Sequence, residues 1–229
     1  MDRMIRRRRQ EAAREMLSSE GGHTRVKLCG MFRDEDIAAV NEAAPDMVGF
    51  IGRFPKSHRN VSPMTELGRL SDQVNAGTYS VLVQVDVSWQ RVAHSMYRAG
   101  CADIVQLHGG EDEEYIRCLR LRMRDCAPII QAFRIREHAD VERALASSAD
   151  MVLLDAGQGS GERFNWELVA DVAERRPFML AGGLTPENVA EAIRTLHPWG
   201  VDLSSGIETN RVKDPQKMAA AVAAVREER

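Results

Sequence analysis

From residue 25 to the C-terminus the chain repeats one pattern: a short apolar segment rich in β-branched residues, then a longer, charged, amphipathic stretch. The apolar segments are 25–29, 46–51, 79–87, 104–108, 128–135, 151–155, 178–181 and 201–204. The helical patterns are 34–43, 63–74, 89–99, 112–123, 137–147, 165–175, 186–196 and 214–228. Strands that alternate with helices imply βαβ units and a parallel sheet. Eight units in roughly 200 residues are what a compact (β/α)8 barrel requires, and an open doubly wound sheet is the alternative. Period-two alternation within the strands favours the barrel. Lys27 and Cys29 share one face of the first segment, with Val26 and Leu28 on the other. Gln106 and His108 stand opposite Val105 and Leu107, and Asp202 and Ser204 opposite Val201 and Leu203. Apolar faces covered by helices and polar faces turned inward fit an enclosed barrel with a wet mouth, where strand C-terminal ends carry the site.

Length and charge narrow the class further. A chain of 229 residues with 44% apolar content buries a core without disulfide staples, and suits one α/β barrel domain over 25–229. A formal charge of -3 supplies no field for nucleic acid, and no apolar run is long enough to span a bilayer. Cys29, Cys101, Cys118 and Cys126 are scattered, with no C-x-x-C pair and no His at metal-ligand spacing. That pattern points to reduced thiols in a cytoplasmic protein, without nucleic-acid or membrane partners. Residues 1–24 form a separate basic extension: four consecutive arginines from Arg6 to Arg9, a helix-friendly stretch to Leu17, then Ser18-Ser19-Glu20-Gly21-Gly22. It reads as a solvated helical appendage on a Ser/Gly hinge, with a basic patch for RNA, an acidic partner or a second subunit as the alternative. It lacks a secretory core, and Glu11, Glu15 and Glu20 speak against a transit peptide.

Three constellations fall at the βα junctions. Phe178-Met-Leu-Ala-Gly-Gly-Leu-Thr185 ends a strand in Gly182 and Gly183, and Val201-Asp-Leu-Ser-Ser-Gly-Ile-Glu208 ends the last one in Ser204, Ser205 and Gly206. Paired glycine loops after the seventh and eighth strands, ahead of a helix start, are suited to a phosphate. Arg59, in the loop after the second strand, carries a planar fork that could clamp a substrate carboxylate, although a plain surface loop would read the same way. Asp155 follows four apolar residues at a strand end, which burial of the strand does not explain.

Taken in order, Val26-Lys-Leu-Cys-Gly30, Pro55-Lys-Ser-His-Arg-Asn-Val-Ser62, Val105-Gln-Leu-His-Gly109, Leu153-Leu-Asp155, Phe164-Asn-Trp166, Leu180-Ala-Gly-Gly-Leu-Thr-Pro-Glu-Asn-Val189 and Val201–Glu208 resemble the phosphoribosylanthranilate isomerase family of tryptophan biosynthesis. The resemblance implies a (β/α)8 fold and a cofactor-free Amadori rearrangement of a small phosphorylated substrate. Asp155 then stands at the position of the general acid and Cys29 at that of the general base. Arg59 would hold the anthranilate carboxylate, Lys27, Gln106 and His108 would serve substrate binding, and Gly182, Gly183, Ser204, Ser205 and Gly206 would line the phosphate site. Lys27 could stabilise a Cys29 thiolate or pair with Asp202 across the barrel closure. The family resemblance leaves a monomer and a homodimer equally open.

Four features depart from the family pattern. The loop between Asp155 and Phe164 is short, His58 stands where proline is usual, Gln84 and Asp86 promise a more polar, acidic pocket wall, and residues 1–24 have no counterpart. Two rival functions remain: isomerisation of another phosphosugar, as in the histidine pathway, where two aspartates are used and Cys29 fits poorly; and a non-catalytic phosphate-binding barrel, against which Cys29 and Asp155 both speak.

Overall fold

The structure is a computed structural model that describes residues 3–19, 22–98, 100–124, 126–155 and 166–228. Eight parallel strands make the barrel: β1 (Arg25–Cys29), β2 (Met47–Gly52), β3 (Tyr79–Gln84), β4 (Ile104–Leu107), β5 (Ile129–Arg134), β6 (Met151–Asp155), β7 (Phe178–Ala181) and β8 (Gly200–Leu203). Each pairs with its sequence neighbour, and β1 also pairs with β8, which closes the ring. The closing register sets Lys27 opposite both Met47 and Asp202. Helices α1 (Arg3–Ser18), α2 (Asp34–Ala43), α3 (Met64–Asp72), α4 (Trp89–Ala93), α5 (Glu113–Met123), α6 (His138–Leu145), α7 (Val172–Arg175), α8 (Val189–Leu196) and α9 (Pro215–Glu227) complete the fold. Among the described residues no helix is long and apolar enough to cross a membrane.

The two strand faces build two cores. Val26, Leu28, Val48, Phe50, Leu82, Val105 and their equivalents pack outward against the helices. Cys29, Met47, Val81, Val83, Ile104, Ile130, Met151 and Met179 fill the interior. Local chemistry starts the helices where the sequence expects them. Asp112 accepts from the Tyr115 N–H at 2.8 Å to begin α5, and Asp214 accepts from the Gln216 and Lys217 N–H groups to begin α9, with Pro215 at its first position.

Several boundaries differ from the sequence expectation. The strand over 79–87 stops at Gln84, because Asp86 turns left-handed (φ 52°) and its N–H goes to Glu111. The helix over 89–99 is α4 followed by a π-helical turn, His94–Arg98, and Ala99 lies outside the described residues. The helix over 165–175 is two short pieces, a 3-10 turn at Trp166–Val169 and α7, with Asn165 outside the described residues. Helix α8 starts three residues later than 186, after a turn in which the Asn188 side chain accepts from the Thr185 N–H.

The solvated reading of the extension does not hold. Helix α1 lies across the N-terminal end of the barrel, with Ala13 and Leu17 buried in the interior cluster. Arg6 is buried and bonds Asp103 at 2.7 Å, Asp72 at 2.8 Å and Ser80 at 3.2 Å. Arg9 holds both Asp103 oxygens and the Thr78 carbonyl. Burial alone would raise the Asp103 carboxyl, but Arg9 and Arg6 outweigh it and hold its pKa below the usual value. Two of the four arginines in the basic run, Arg6 and Arg9, are spent on the barrel's own acids. Arg7 and Arg8 stay exposed, and Arg7 pairs with Glu11 of its own helix. The sequence could not advertise the Arg6 and Arg9 pairings because Asp72 and Asp103 are distant in the chain.

Candidate active site

The opposite end of the barrel holds a cavity of about 390 Å³, lined by residues that include Cys29, Arg59, His108, Asp155, Gly182, Gly183, Asp202, Ser204 and Ser205. These come from the ends of β1, β4, β6, β7 and β8 and from the loop after β2. The cavity thus gathers eight of the residues expected from sequence, drawn from segments far apart in the chain.

Lys27 and Gln106 stand differently. Both are fully buried, one inward-facing row below the lining, so they act on Cys29 and His108 and do not reach the cavity. Lys27 Nζ lies 2.8 Å from Asp202 Oδ2. Burial would drive the ammonium toward neutrality, but Asp202 and then Cys29 overcome it and raise the Lys27 pKa. Burial pushes the Cys29 thiol up, and Lys27 pulls it back only in part. The question of whether Lys27 serves the thiol or Asp202 has a geometric answer: it stands between them. Gly49 makes the room. A Cβ there would meet Cys29 Sγ at 2.7 Å and Lys27 Nζ at 3.1 Å. A glycine inside the apolar strand Met47–Gly52 was the signal that sequence reasoning passed over.

Asp155 ends a chain of three groups. Gln106 Nε2 is 3.1 Å from His108 Nδ1, and His108 Nε2 is 3.2 Å from Asp155 Oδ2. With the amide nitrogen donating to Nδ1, the ring carries its proton on Nε2 and donates to Asp155; this tautomer is assigned from the network. His108 is therefore a hydrogen-bond partner of Asp155.

The two glycine-bearing loops after β7 and β8 meet through glycine. Gly182 and Gly183 adopt left-handed conformations (φ 99° and 68°), and a Cβ at Gly183 would meet only open space. Gly206 does not line the cavity; a Cβ there would collide with the Leu184 carbonyl, so its role is to let the β8 loop lie on the β7 loop. Arg59 lies across Gly30, whose missing Cβ would fall 2.5 Å from Arg59 Cδ. Its guanidinium is held by Glu208, with Nε to Oε1 at 2.5 Å and Nη2 to Oε2 at 2.7 Å. Glu208 stood at the end of a quoted motif without a role.

Two expected departures change meaning. Gln84 does not reach the pocket: period two turns it to the outer face, where it donates to the Gly52 carbonyl at 2.7 Å. Asp86 likewise accepts from the Gly110 N–H at 2.9 Å and shapes that loop, so the expected acidic wall is absent from the cavity lining. His58 packs edge-on against Phe32 beside Arg59. The short loop over 156–165 lies outside the described residues.

Comparison with known proteins agrees with this geometry. The family model described as N-(5'phosphoribosyl)anthranilate (PRA) isomerase matches residues 25–224. The N-(5'-phosphoribosyl)anthranilate isomerase of Endomicrobium trichonymphae is 38% identical over 207 residues, covering 88% of this chain and 98% of its own. The crystal structure of phosphoribosyl anthranilate isomerase from Thermotoga maritima superposes with a TM-score of 0.80 at 32% identity, over 89% of this chain and 99% of that one. A crystal structure of phosphoribosyl anthranilate isomerase in complex with reduced 1-(o-carboxyphenylamino)-1-deoxyribulose 5-phosphate superposes with a TM-score of 0.78 at 32% identity, over 89% and 99%. A match across nearly the whole barrel, with helix α1 outside it, settles the family: this chain belongs to the N-(5'-phosphoribosyl)anthranilate isomerases.

Proposed function

We propose that the chain converts N-(5-phosphoribosyl)anthranilate to 1-(2-carboxyphenylamino)-1-deoxyribulose 5-phosphate in the tryptophan pathway of the cytoplasm, with Asp155 as general acid and Cys29 as general base. The observation that carries the reading is one cavity lined at once by a thiol, a carboxylate, an arginine and two glycine-bearing loops. Asp155 gives its proton to the furanose ring oxygen as the C1′–O bond breaks, and the nitrogen lone pair forms the C1′ iminium. Cys29 as thiolate then takes the C2′ proton, and the electron pair neutralises the iminium to an enolamine, which tautomerises to the ketone. The two steps need a protonated acid and a deprotonated base in one cavity, which separate environments can provide. Lys27 stabilises the thiolate from below, and His108 steadies the Asp155 carboxylate once its proton has left. The phosphate rests on the Gly182–Gly183 and Ser204–Ser205 backbone, and Arg59 faces the anthranilate carboxylate.

The test is to supply phosphoribosylanthranilate and follow the loss of its anthranilate-type fluorescence. Turnover by the intact protein that disappears in Cys29→Ala and in Asp155→Asn supports the assignment. Turnover unchanged in both variants discards it.

A further inference from the structure

Arg59 must do more than be present: a guanidinium recognises a carboxylate with whichever edge its surroundings leave free. Glu208 takes the Nε–Nη2 edge with both carboxylate oxygens. Three of the five N–H donors remain, two of them forming the Nη1–Nη2 edge, and Arg59 itself lines the cavity. Glu208 is in turn held from the other side. Lys213 Nζ lies 2.9 Å from Glu208 Oε1 and donates to the Ser204 carbonyl at 2.8 Å. Lys217 donates to the Glu208 backbone carbonyl at 2.8 Å. Glu208 and Lys213 face each other across a two-stranded hairpin, Glu208–Thr209 with Val212–Lys213, immediately after the β8 phosphate loop. Both side chains are essentially sealed from solvent, at 6% and 0% exposure. The cluster also meets the base: the Ser204 hydroxyl donates to the Cys29 carbonyl at 3.1 Å. His58 Nε2 approaches Glu208 Oε2 at 3.5 Å without a hydrogen bond.

We infer that Glu208 is a positioning residue for the isomerase reaction, with Lys213 as its support: the pair fixes the Arg59 rotamer and leaves only the Nη1–Nη2 edge for the aryl carboxylate of the substrate. The inference rests on the proposed role of Arg59. It also gives the charge balance a purpose. One carboxylate between two cations leaves the cluster net positive, so Arg59 is oriented without losing its attraction for an anion. The same hairpin ties the carboxylate clamp to the phosphate loop through the Ser204 carbonyl, so the two ends of the substrate are gripped at a set separation.

The experiment compares wild type, Glu208→Gln, Arg59→Ala and the double variant in steady-state kinetics. It adds binding of two reduced product analogues, one with and one without the ortho carboxylate on its aryl ring. Loss of one partner from a buried charge pair predicts a KM about 10- to 100-fold higher for Glu208→Gln, with kcat changed less than about threefold. The binding loss falls on the carboxylate-bearing analogue alone. In the Arg59→Ala background, Glu208→Gln adds less than about a twofold change, because the two act as one unit. Equal losses for both analogues, or full additivity in the double variant, would overturn the inference and make Glu208 a packing group. Should Glu208→Gln fold poorly, the charge-compensated pair Glu208→Gln with Lys213→Met carries the same expectations. Absence of wild-type turnover would reject the reaction, whereas the two-analogue binding comparison reads the clamp independently of it.

Discussion

The two ends of this barrel use the same kinds of charged residue to opposite effect. At the N-terminal end, Arg6 and Arg9 close on Asp103, and Ala13 and Leu17 of α1 seal the interior cluster. At the C-terminal end, Lys27 with Asp202 and His108 with Asp155 are also paired, yet Asp202, His108 and Asp155 line an open cavity. Each end leaves a buried polar atom without a hydrogen-bond partner among the described residues, Arg6 Nε at the plug and Asp202 Oδ1 at the mouth. The lesson is that pairing alone does not mark a site. What separates the mouth is that its paired groups line one cavity with a thiol and two glycine-bearing loops, whereas Arg6 and Arg9 spend their charge on Asp103.

That contrast can be broken at either end. The largest effect belongs to the mouth: Asp155→Asn should lower kcat by about 10²–10⁴-fold, with thermal unfolding moved by only a few degrees, because its side chain is partly exposed. A variant as active as wild type would mean that another group is the acid.

Lys27→Met should come next, and it should register in two ways. Leaving Asp202 buried without its cation costs about 3–5 kcal/mol of stability, read from denaturant unfolding. The cation that pulls the Cys29 thiol down also disappears, so the acid limb of the pH–rate profile moves to higher pH. The sign follows from the role. As the proposed base, Cys29 works deprotonated, and burial has raised its pKa, so wild-type activity should still be climbing with pH on the alkaline side of neutrality, and the variant should climb later. An unmoved limb would separate Lys27 from the thiol.

At the sealed end, Arg6→Met should cost about 3 kcal/mol while kcat/KM stays within about twofold. A large fall in activity there would tie the plug to the mouth. Asp103 also sets an acid dependence. Its folded pKa is depressed, so its contribution is complete above the unfolded carboxylate value of about 3.9 and is lost as pH falls through the folded value. Glu208 at the mouth, held down to about 2, behaves the same way. Acid unfolding should therefore begin below about pH 4, and Arg6→Met should move its midpoint upward. The smallest effect is Arg14→Ala at the rim of the plug, where a half-open pair with Asp150 is worth about 1 kcal/mol or less.

Much of the mouth was legible from the chain itself. Cys29, Asp155, Gly182, Gly183, Ser204 and Ser205 sit at strand ends, and a strand end in an eight-unit barrel has one destination. Gly49 and Glu208 were present in readable stretches, but their meaning depends on what approaches them from other strands and loops. Gln84 misled for a related reason: an early end to β3 does not alter the face on which period two puts it. The extension misled most. Its arginines resemble any solvated basic helix until Asp72 and Asp103 are seen beneath them.

Local pattern by itself determined the strand-and-helix rhythm, the inward face of each strand and the junctions that carry chemistry, because these depend on neighbours two to four residues apart. The tertiary structure alone decided which charges meet. Lys27 with Asp202 and Arg59 with Glu208 are pairs of residues remote in sequence, made neighbours by barrel closure and by the hairpin after the last strand. Helix α1 became a plug for the same reason: an amphipathic face has no address until a folded surface of matching charge and shape exists to receive it.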